Sequence, residues 1–331
     1  MRLKTVKLIS ALLCLTLLAG CGNAVSQTEQ GELTETGYVD AVELAIEELE
    51  DEAVALSEVP AAALPDILVA EASGVLVKKN GKAVIDYSNT EDGYVMVQFT
   101  ADTSKRLKVQ VQGPTTTYTY NLNKGAWTVF PLTDGNGKYQ IKVFENVSGT
   151  KYSMVTSVTQ EVALADEFAP FLRPNQYVDY SVSSKTVAKA KELTKELTDP
   201  LKKVAVIYDF VIKNLTYDKE KAATVTSGYL PVLDTVLEAK KGICFDYAAL
   251  MAGMLRSQGI PCKLVIGYAG TAYHAWINVW TEDTGWVDGI IYFNGTTWQR
   301  MDPTFASTGK QSQAVMAYIG DGKNYTTKYL Y

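Results

Sequence analysis

Three residues of this chain have the chemistry of a thiol active site, and they occur in the order Cys244, His274 and Asp302. A cysteine attacks a carbonyl carbon as its thiolate, a histidine takes up and returns the proton, and a carboxylate orients the imidazole ring. His274 is the only histidine in the 331 residues, so no other imidazole competes for the role of base. Asp288 is a second candidate for the orienting carboxylate.

The sequence after Cys244 predicts a helix, with the thiol at its N-terminal end. Gly259 and Pro261 stop the helical pattern. Unpaired N–H groups and the positive end of a helix stabilise an anion, and therefore a thiolate. His274 lies in a segment typical of a strand, so a helix and a strand must position the nucleophile and the base. The apolar residues of the predicted helix recur at three- and four-residue spacing: Tyr247, Leu250, Met251, Met254 and Leu255.

Two helices are also predicted before this region, from Thr186 to Leu197 and from Leu201 to Leu215, with Asp199-Pro200 between them. Their apolar faces indicate ordinary packing. Cys262, which follows Pro261 and precedes an apolar run, is predicted to be a buried core cysteine. One histidine and separated thiols form no ligand-spaced cluster, so we expect neither a metal nor another cofactor.

Five short segments around these residues resemble the core of the transglutaminase-like superfamily. The resemblance covers roughly residues 168–306 and implies a papain-like α+β fold, with Cys244 as nucleophile, His274 as base and Asp302 as the residue that orients it. The family commonly has a small residue directly after the cysteine, whereas this chain has Phe245, which alters the expected shape of the pocket. In chain order, the segments are Gly242-Ile243-Cys244, Leu255-Arg256-Ser257-Gln258-Gly259-Ile260-Pro261, Gly267-Tyr268, His274-Ala275-Trp276 and Asp302-Pro303-Thr304.

The chemistry that this resemblance implies is acyl transfer on an amide bond of a protein or peptide substrate, through a thioester on Cys244. Backbone N–H groups near Cys244 are the first candidates for stabilising the oxyanion. Water would complete a hydrolysis and an amine would complete a crosslink, and the sequence favours hydrolysis only slightly. The alternative is a catalytically inactive surface module that binds cell-wall polymer or a partner protein.

The segment from Ser73 to Leu164 has the two-residue period of β-strands, with seven or eight strands in 92 residues. This pattern predicts an immunoglobulin-like β-sandwich. Asn80-Gly81 predicts a hairpin with a primed turn, in which both residues adopt positive φ. The run from Asp134 to Tyr139 resembles the turn that leads into a tyrosine corner. We favour a rigid spacer over a glycan- or protein-binding module for this region.

The first 21 residues have the pattern of a bacterial lipoprotein signal. Arg2, Lys4 and Lys7 are followed by an apolar run from Leu8 to Leu18, which is shorter than the roughly 20 residues that cross a bilayer. Small residues then precede Cys21, the predicted site of lipidation. We therefore expect a protein held at the extracytoplasmic face of the cell membrane by a lipid anchor on Cys21. An ordinary signal peptide is the alternative.

The predicted organisation is a signal peptide at 1–20, an acidic tether at 21–71, the β-sandwich at 72–166 and the catalytic domain at 167–331. Residues 22–71 contain 13 acidic residues and no lysine or arginine, which suits a spacer or a simple solvated linker. The net charge of −6 argues against nucleic acid as a partner, because phosphate binding needs a basic face. Four cysteines exclude a disulfide scaffold.

Overall fold

A computed structural model describes residues 67–282, 285–287, 291–293, 298–300 and 325–331. These residues all belong to one compact unit, Val59–Tyr331. The predicted signal peptide with Cys21, most of the predicted tether, Asp288 and Asp302 lie outside the described residues.

The first half of this unit consists of eight strands in two antiparallel four-stranded sheets, with the orders β1-β2-β3-β6 and β5-β4-β7-β8. Along β4 and β5, buried side chains alternate with exposed or half-buried ones, as the two-residue period predicts. The buried side chains of both sheets belong to one hydrophobic core. The strands are β1 (Val77–Lys79), β2 (Ala83–Asp86), β3 (Tyr94–Phe99), β4 (Leu107–Gln112), β5 (Thr117–Leu122), β6 (Thr128–Pro131), β7 (Gly137–Ser148) and β8 (Lys151–Val162).

The hairpin predicted at Asn80-Gly81 is present between β1 and β2, but the prediction that its turn is of a primed type is wrong. Neither Asn80 nor Gly81 has a positive φ. The chain instead closes through a backbone hydrogen bond from Asn80 N to Ala83 O of 3.0 Å. The side-chain oxygen of Asn80 accepts hydrogen bonds from the N–H groups of Lys82 and Ala83, both at 2.9 Å. This asparagine side chain holds the turn without left-handed backbone.

Tyr139 makes the contact expected of a tyrosine corner. Its hydroxyl donates to the carbonyl oxygen of Gly135 and accepts from the N–H of Asp134, each at 2.9 Å. The ring is fully buried in the core. The turn is thereby tied to the strand that follows it.

The second half is built around one buried helix, α5, which packs against α1, α2 and α4 and against two strands of a sheet of order β13-β12-β11-β16. Every residue from Asp246 to Arg256 is buried. The helices are α1 (Lys185–Thr194), α2 (Pro200–Asn214), α3 (Lys219–Thr224), α4 (Leu233–Ala239) and α5 (Cys244–Arg256). The strands are β9 (Thr216–Tyr217), β10 (Lys241–Gly242), β11 (Cys262–Ala269), β12 (Ala272–Thr281), β13 (Gly285–Val287), β14 (Ile291–Phe293), β15 (Trp298–Arg300) and β16 (Tyr325–Leu330).

The predicted helices are confirmed to within a few residues, because their apolar stripes and stop signals are strong. α5 begins at Cys244, one turn before the first residue of the predicted stripe. Gly259 ends the region with φ of +75°. Along the described part of the chain, no helix is both long and apolar enough to cross a membrane.

Aromatic rings join the two halves of the unit. Tyr177 stacks on Tyr331 with ring centroids 3.8 Å apart and planes 7° from parallel. From the first half, Tyr120 lies edge-on to both rings at 5.9 Å, and Tyr118 meets Tyr331 at 5.6 Å. Tyr177 also contacts Phe245 of α5 at 5.6 Å. The core of the two sheets is therefore continuous with the beginning of α5.

Candidate active site

Cys244 is the first residue of α5, and its side chain is half-buried. Ile243 precedes it in an extended conformation, so the chain turns into the helix at the nucleophile itself. Cys244 and Cys262 are both free thiols. The first turn of a helix presents N–H groups without helical partners, which suits an anion at this position.

The first turn of α5 is fastened by Asp246, whose side chain is fully buried. One carboxylate oxygen, Oδ2, accepts hydrogen bonds from the backbone N–H of Ile243 at 2.8 Å and from Lys221 Nζ at 2.7 Å. The other, Oδ1, accepts a hydrogen bond from the hydroxyl of Tyr229. Lys221 also donates to the Tyr229 hydroxyl and lies 4.2 Å from the centroid of its ring.

Gly242 leaves the space that this carboxylate occupies. A Cβ at position 242 would lie 2.5 Å from Cβ of Asp246 and 3.0 Å from its Oδ2. The glycine of the Gly-Ile-Cys segment is therefore explained by the close approach of Asp246. Sequence reasoning missed this role, although an acidic residue at the third position of a helix is a known capping signal.

His274 lies on β12 opposite Gly267 of β11, and its side chain is only 7% exposed. Its ring is nearly parallel to that of Trp276, with centroids 6.3 Å apart, and lies 6.4 Å from that of Tyr325 on β16. The prediction that Trp276 shares a sheet face with His274 is confirmed. Trp276 and Tyr325 in turn meet edge-on at 5.1 Å, so aromatic rings flank the imidazole.

The structure brings the helix of Cys244 and the strand of His274 together, because α5 packs directly against β12. The orienting carboxylate stays a prediction. Both Asp302 and Asp288 lie outside the described residues. Among the residues that are described, no group of three or more histidine, cysteine or carboxylate side chains is arranged to hold a metal ion.

Phe245, which replaces the small residue common in the family, packs against aromatic rings next to Cys244. Its ring lies 5.6 Å from that of Tyr177 and 6.2 Å from that of Tyr229. Tyr273 directly precedes His274 in β12 and is 59% exposed. Its ring packs against that of Tyr268, with centroids 5.5 Å apart. The bulky residue after the cysteine is thus accommodated by tyrosines from other segments.

Cys262 is completely buried, as predicted for a core cysteine. Burial raises the pKa of its thiol to about 12, although the charge of Arg256 acts in the opposite direction. Arg256 is itself buried and donates hydrogen bonds to backbone oxygens of Cys262, Arg173 and Tyr331 at 2.6–2.9 Å. Sequence reasoning recognised Arg256 as part of a motif but not as the residue that joins these segments.

A family model for the transglutaminase-like superfamily matches residues 187–289, which include Cys244 and His274 but not Asp302. The chain is 30% identical over 115 residues to a protein-glutamine gamma-glutamyltransferase of Pseudomonas aeruginosa, a match that covers 30% of this chain and 17% of that protein. It is 31% identical over 139 residues to an uncharacterized protein of Mycobacterium leprae, covering 38% and 46% of the two chains. The chain therefore spans less than half the length of either relative.

Among solved structures, the chain is similar to the periplasmic domain of TgpA from Pseudomonas aeruginosa, with 18% identity and a TM-score of 0.33 over 72% of this chain and 78% of that one. The family match rests on the segment that begins in α1 and ends just after β13. Residues 187–289, which include Cys244 and His274, are thus the part of this chain that is similar to the transglutaminase-like superfamily.

Proposed function

We propose that this protein is a thiol enzyme that acts on amide bonds of protein or peptide substrates through a thioester on Cys244. The observation that carries the proposal is the placement of Cys244 at the first residue of a buried helix that packs against the strand of a buried His274. The match to the transglutaminase-like family model over both residues supports it.

In the proposed reaction, the Cys244 thiolate adds to the amide carbonyl carbon. N–H groups of the first turn of α5 stabilise the oxyanion. The C–N bond then breaks as His274 gives its proton to the leaving amine, and a thioester remains. His274 next removes a proton from water or from an amine, which attacks the thioester carbonyl carbon. The C–S bond then breaks, the acyl product leaves, and the Cys244 thiolate and the protonated His274 are restored. Asp302, as implied by the family pattern, would orient the imidazole.

The acceptor decides between two outcomes of the same chemistry. We favour water, and thus an amidase or peptidase, since no amine-binding feature is recognisable in the sequence. The Pseudomonas relative's name describes glutamyl transfer. A thioester formed with a glutamine-containing peptide that only amines release would make this chain a crosslinking enzyme instead.

The decisive experiment measures the pH dependence of Cys244 alkylation by iodoacetamide in the full-length protein, with the modified peptide quantified by mass spectrometry. We expect the midpoint of this profile to rise in His274→Ala, because the proposed thiolate would lose its imidazole partner. Tyr273→Phe, which changes an exposed neighbour of His274, is the matched control and should leave the midpoint unchanged. An ordinary profile that is indifferent to His274→Ala would refute the enzyme and favour a binding module.

We further propose that Cys21 carries a lipid and that residues 21–71 tether the enzyme at the extracytoplasmic face of the membrane, where it acts on protein, peptide or cell-wall material. The signal pattern in the sequence supports this placement. Cys21→Ser should release the protein from the membrane fraction, and mass spectrometry of the extracted wild type should find acylated Cys21. An unmodified Cys21 in membrane-extracted protein would contradict the anchor.

The two-sheet half is proposed to be an immunoglobulin-like domain that serves as a rigid support. The pairing of β4 with both β5 and β7, and the Tyr139 hydrogen bonds to the turn before it, support this assignment. No histidine or cysteine occurs in residues 72–166, so this half contributes no cysteine nucleophile and no imidazole base.

A further inference from the structure

The fully buried carboxylate of Asp246 belongs to the same helical turn as the proposed nucleophile. Asp246 follows Cys244 by two residues, and its Oδ2 binds the N–H of Ile243, the residue directly before Cys244. The side chain of Asp246, which follows Cys244, is therefore bound to the backbone directly before Cys244. This hydrogen bond holds the backbone at the start of α5, where Cys244 lies.

Such a carboxylate has an electrostatic disadvantage for a thiol enzyme. A negative charge in the same helical turn as an ionising thiol disfavours the thiolate and opposes the positive potential of the helix end. A buried carboxylate is also costly unless it is paired and hydrogen-bonded. The Asp246 carboxylate is compatible with thiolate chemistry only if its charge is compensated at the same place.

Lys221 and Tyr229 supply that compensation. Lys221 Nζ contacts Asp246 Oδ2 at 2.7 Å, and the Tyr229 hydroxyl donates to Oδ1. Burial, together with the neighbouring Asp246 carboxylate, raises the pKa of Tyr229, so its hydroxyl stays protonated and remains a donor. Both oxygens of the carboxylate are thus engaged by a cation or by O–H and N–H donors.

Several charged groups on the elements around α5 have partners of their own. The backbone N–H of Lys221 is held by the side chain of Asp218, which caps α3 and orients the lysine. At the opposite end of α5, Arg256 binds carbonyl oxygens, and the titratable groups of β12 are Tyr273 and His274. Ion pairs of the neighbouring elements include Lys241 of β10 with Asp218, Asp209 of α2 with Lys213, Glu238 of α4 with Lys185 of α1, and Lys189 with Glu192 within α1.

We propose that Lys221 and Tyr229 are positioning residues that hold and neutralise the Asp246 carboxylate, so that the first turn of α5 is fixed around Cys244 without a net negative charge beside its thiolate. This inference rests on the proposed function of Cys244 as a nucleophile. Neither residue touches the reacting atoms. They act through Asp246.

The experiment compares Lys221→Met and Asp246→Asn in the full-length protein by the midpoint of the Cys244 alkylation profile. Lys221→Met leaves the carboxylate charge uncompensated, so the midpoint should rise by about one pH unit. Asp246→Asn keeps an oxygen for the Ile243 N–H but leaves the lysine charge, so the midpoint should fall by a similar amount. The double variant should return close to the wild type.

A merely structural role would not produce shifts of opposite sign. Tyr229→Phe, which removes one donor and keeps the ring, should give a smaller rise, and Lys219→Met on the exposed side of the same short helix is the control. Equal or same-direction shifts in Lys221→Met and Asp246→Asn, with a His274-dependent wild-type profile, would overturn this inference alone. Asp246→Asn preserves side-chain shape, so it tests the sign even where Lys221→Met lowers stability.

Discussion

Replacing Gly267 of β11 with alanine is expected to disturb the sheet that contains His274 more than the substitution of any exposed glycine would. A Cβ at position 267 would lie 2.0 Å from the backbone oxygen of Thr326 and 2.8 Å from the Trp276 ring. An ordinary contact begins at 3.4 Å, so β16 would have to retreat by about 1.4 Å. The obstructing atom is backbone, and therefore no side-chain rotation relieves the clash.

The loss of stability in Gly267→Ala comes from the interactions that a displaced β16 would lose. β16 pairs with β11 on both sides of a register shift at Ile266/Gly267, and a displaced strand loses ladder hydrogen bonds there. Overpacking costs about 1–3 kcal/mol, and each lost hydrogen bond adds about 0.5–1.5 kcal/mol. We expect Gly267→Ala to lower the free energy of unfolding by about 2–4 kcal/mol.

Urea denaturation followed by circular dichroism measures this change, with the transition midpoint compared at an unchanged slope. Gly81→Ala is the matched control, because a Cβ there meets nothing within 4 Å and the backbone has no positive φ. It should be neutral or slightly stabilising. Because Gly267 pairs with His274, the alkylation rate of Cys244 should also fall in Gly267→Ala. Equal unfolding midpoints for the two variants would show that β16 does not confine this position.

Two further expectations concern groups outside the site. Asp234 of α4 accepts the N–H groups of Lys185 and Thr186, and although burial acts against it, these hydrogen bonds hold its pKa below the usual range. Asp234→Ala should cost about 1 kcal/mol at neutral pH. In urea titrations this difference should shrink as pH falls from about 4, where the unfolded carboxylate takes up its proton, through the lower pKa of the folded carboxylate. A difference independent of pH would contradict the capping role. Cys262, whose pKa is raised by burial, should resist iodoacetamide at pH 8 until denaturant is added, and rapid modification in the native protein, read by peptide mass spectrometry, would contradict its burial.

Local patterns allowed the sequence to predict the elements that carry Cys244 and His274. An apolar stripe ended by Gly259 predicts α5, and alternation predicts the strands of the two sheets. The prediction of a primed turn at Asn80-Gly81 was wrong because the same residue pair also suits a loop held by the asparagine side chain. The residue types alone do not distinguish these two kinds of turn.

Interactions between distant segments could not be predicted in this way. Lys221 and Tyr229 lie 25 and 17 residues from Asp246, at separations to which no helical or strand period applies. β16 carries no chemical motif, and its place beside β11 follows only from the assembled sheet. For Asp302 the family pattern remains the sole support, since the residue lies outside those the structure describes.

The ring contacts from Tyr120 through Tyr177 to Phe245 have a practical consequence for genetic work on this protein. A random mutagenesis screen scored on Cys244 reactivity should return hits at Tyr120. This tyrosine lies more than 100 residues before Cys244, in the two-sheet half, where residues 72–166 contain no histidine or cysteine. A protein of residues 167–331 alone would lack Tyr118 and Tyr120, which pack against Tyr177 and Tyr331. The rings of Tyr177 and Tyr331 would then be more exposed to solvent. The boundary drawn between the halves in sequence is therefore a poor place to cut the gene.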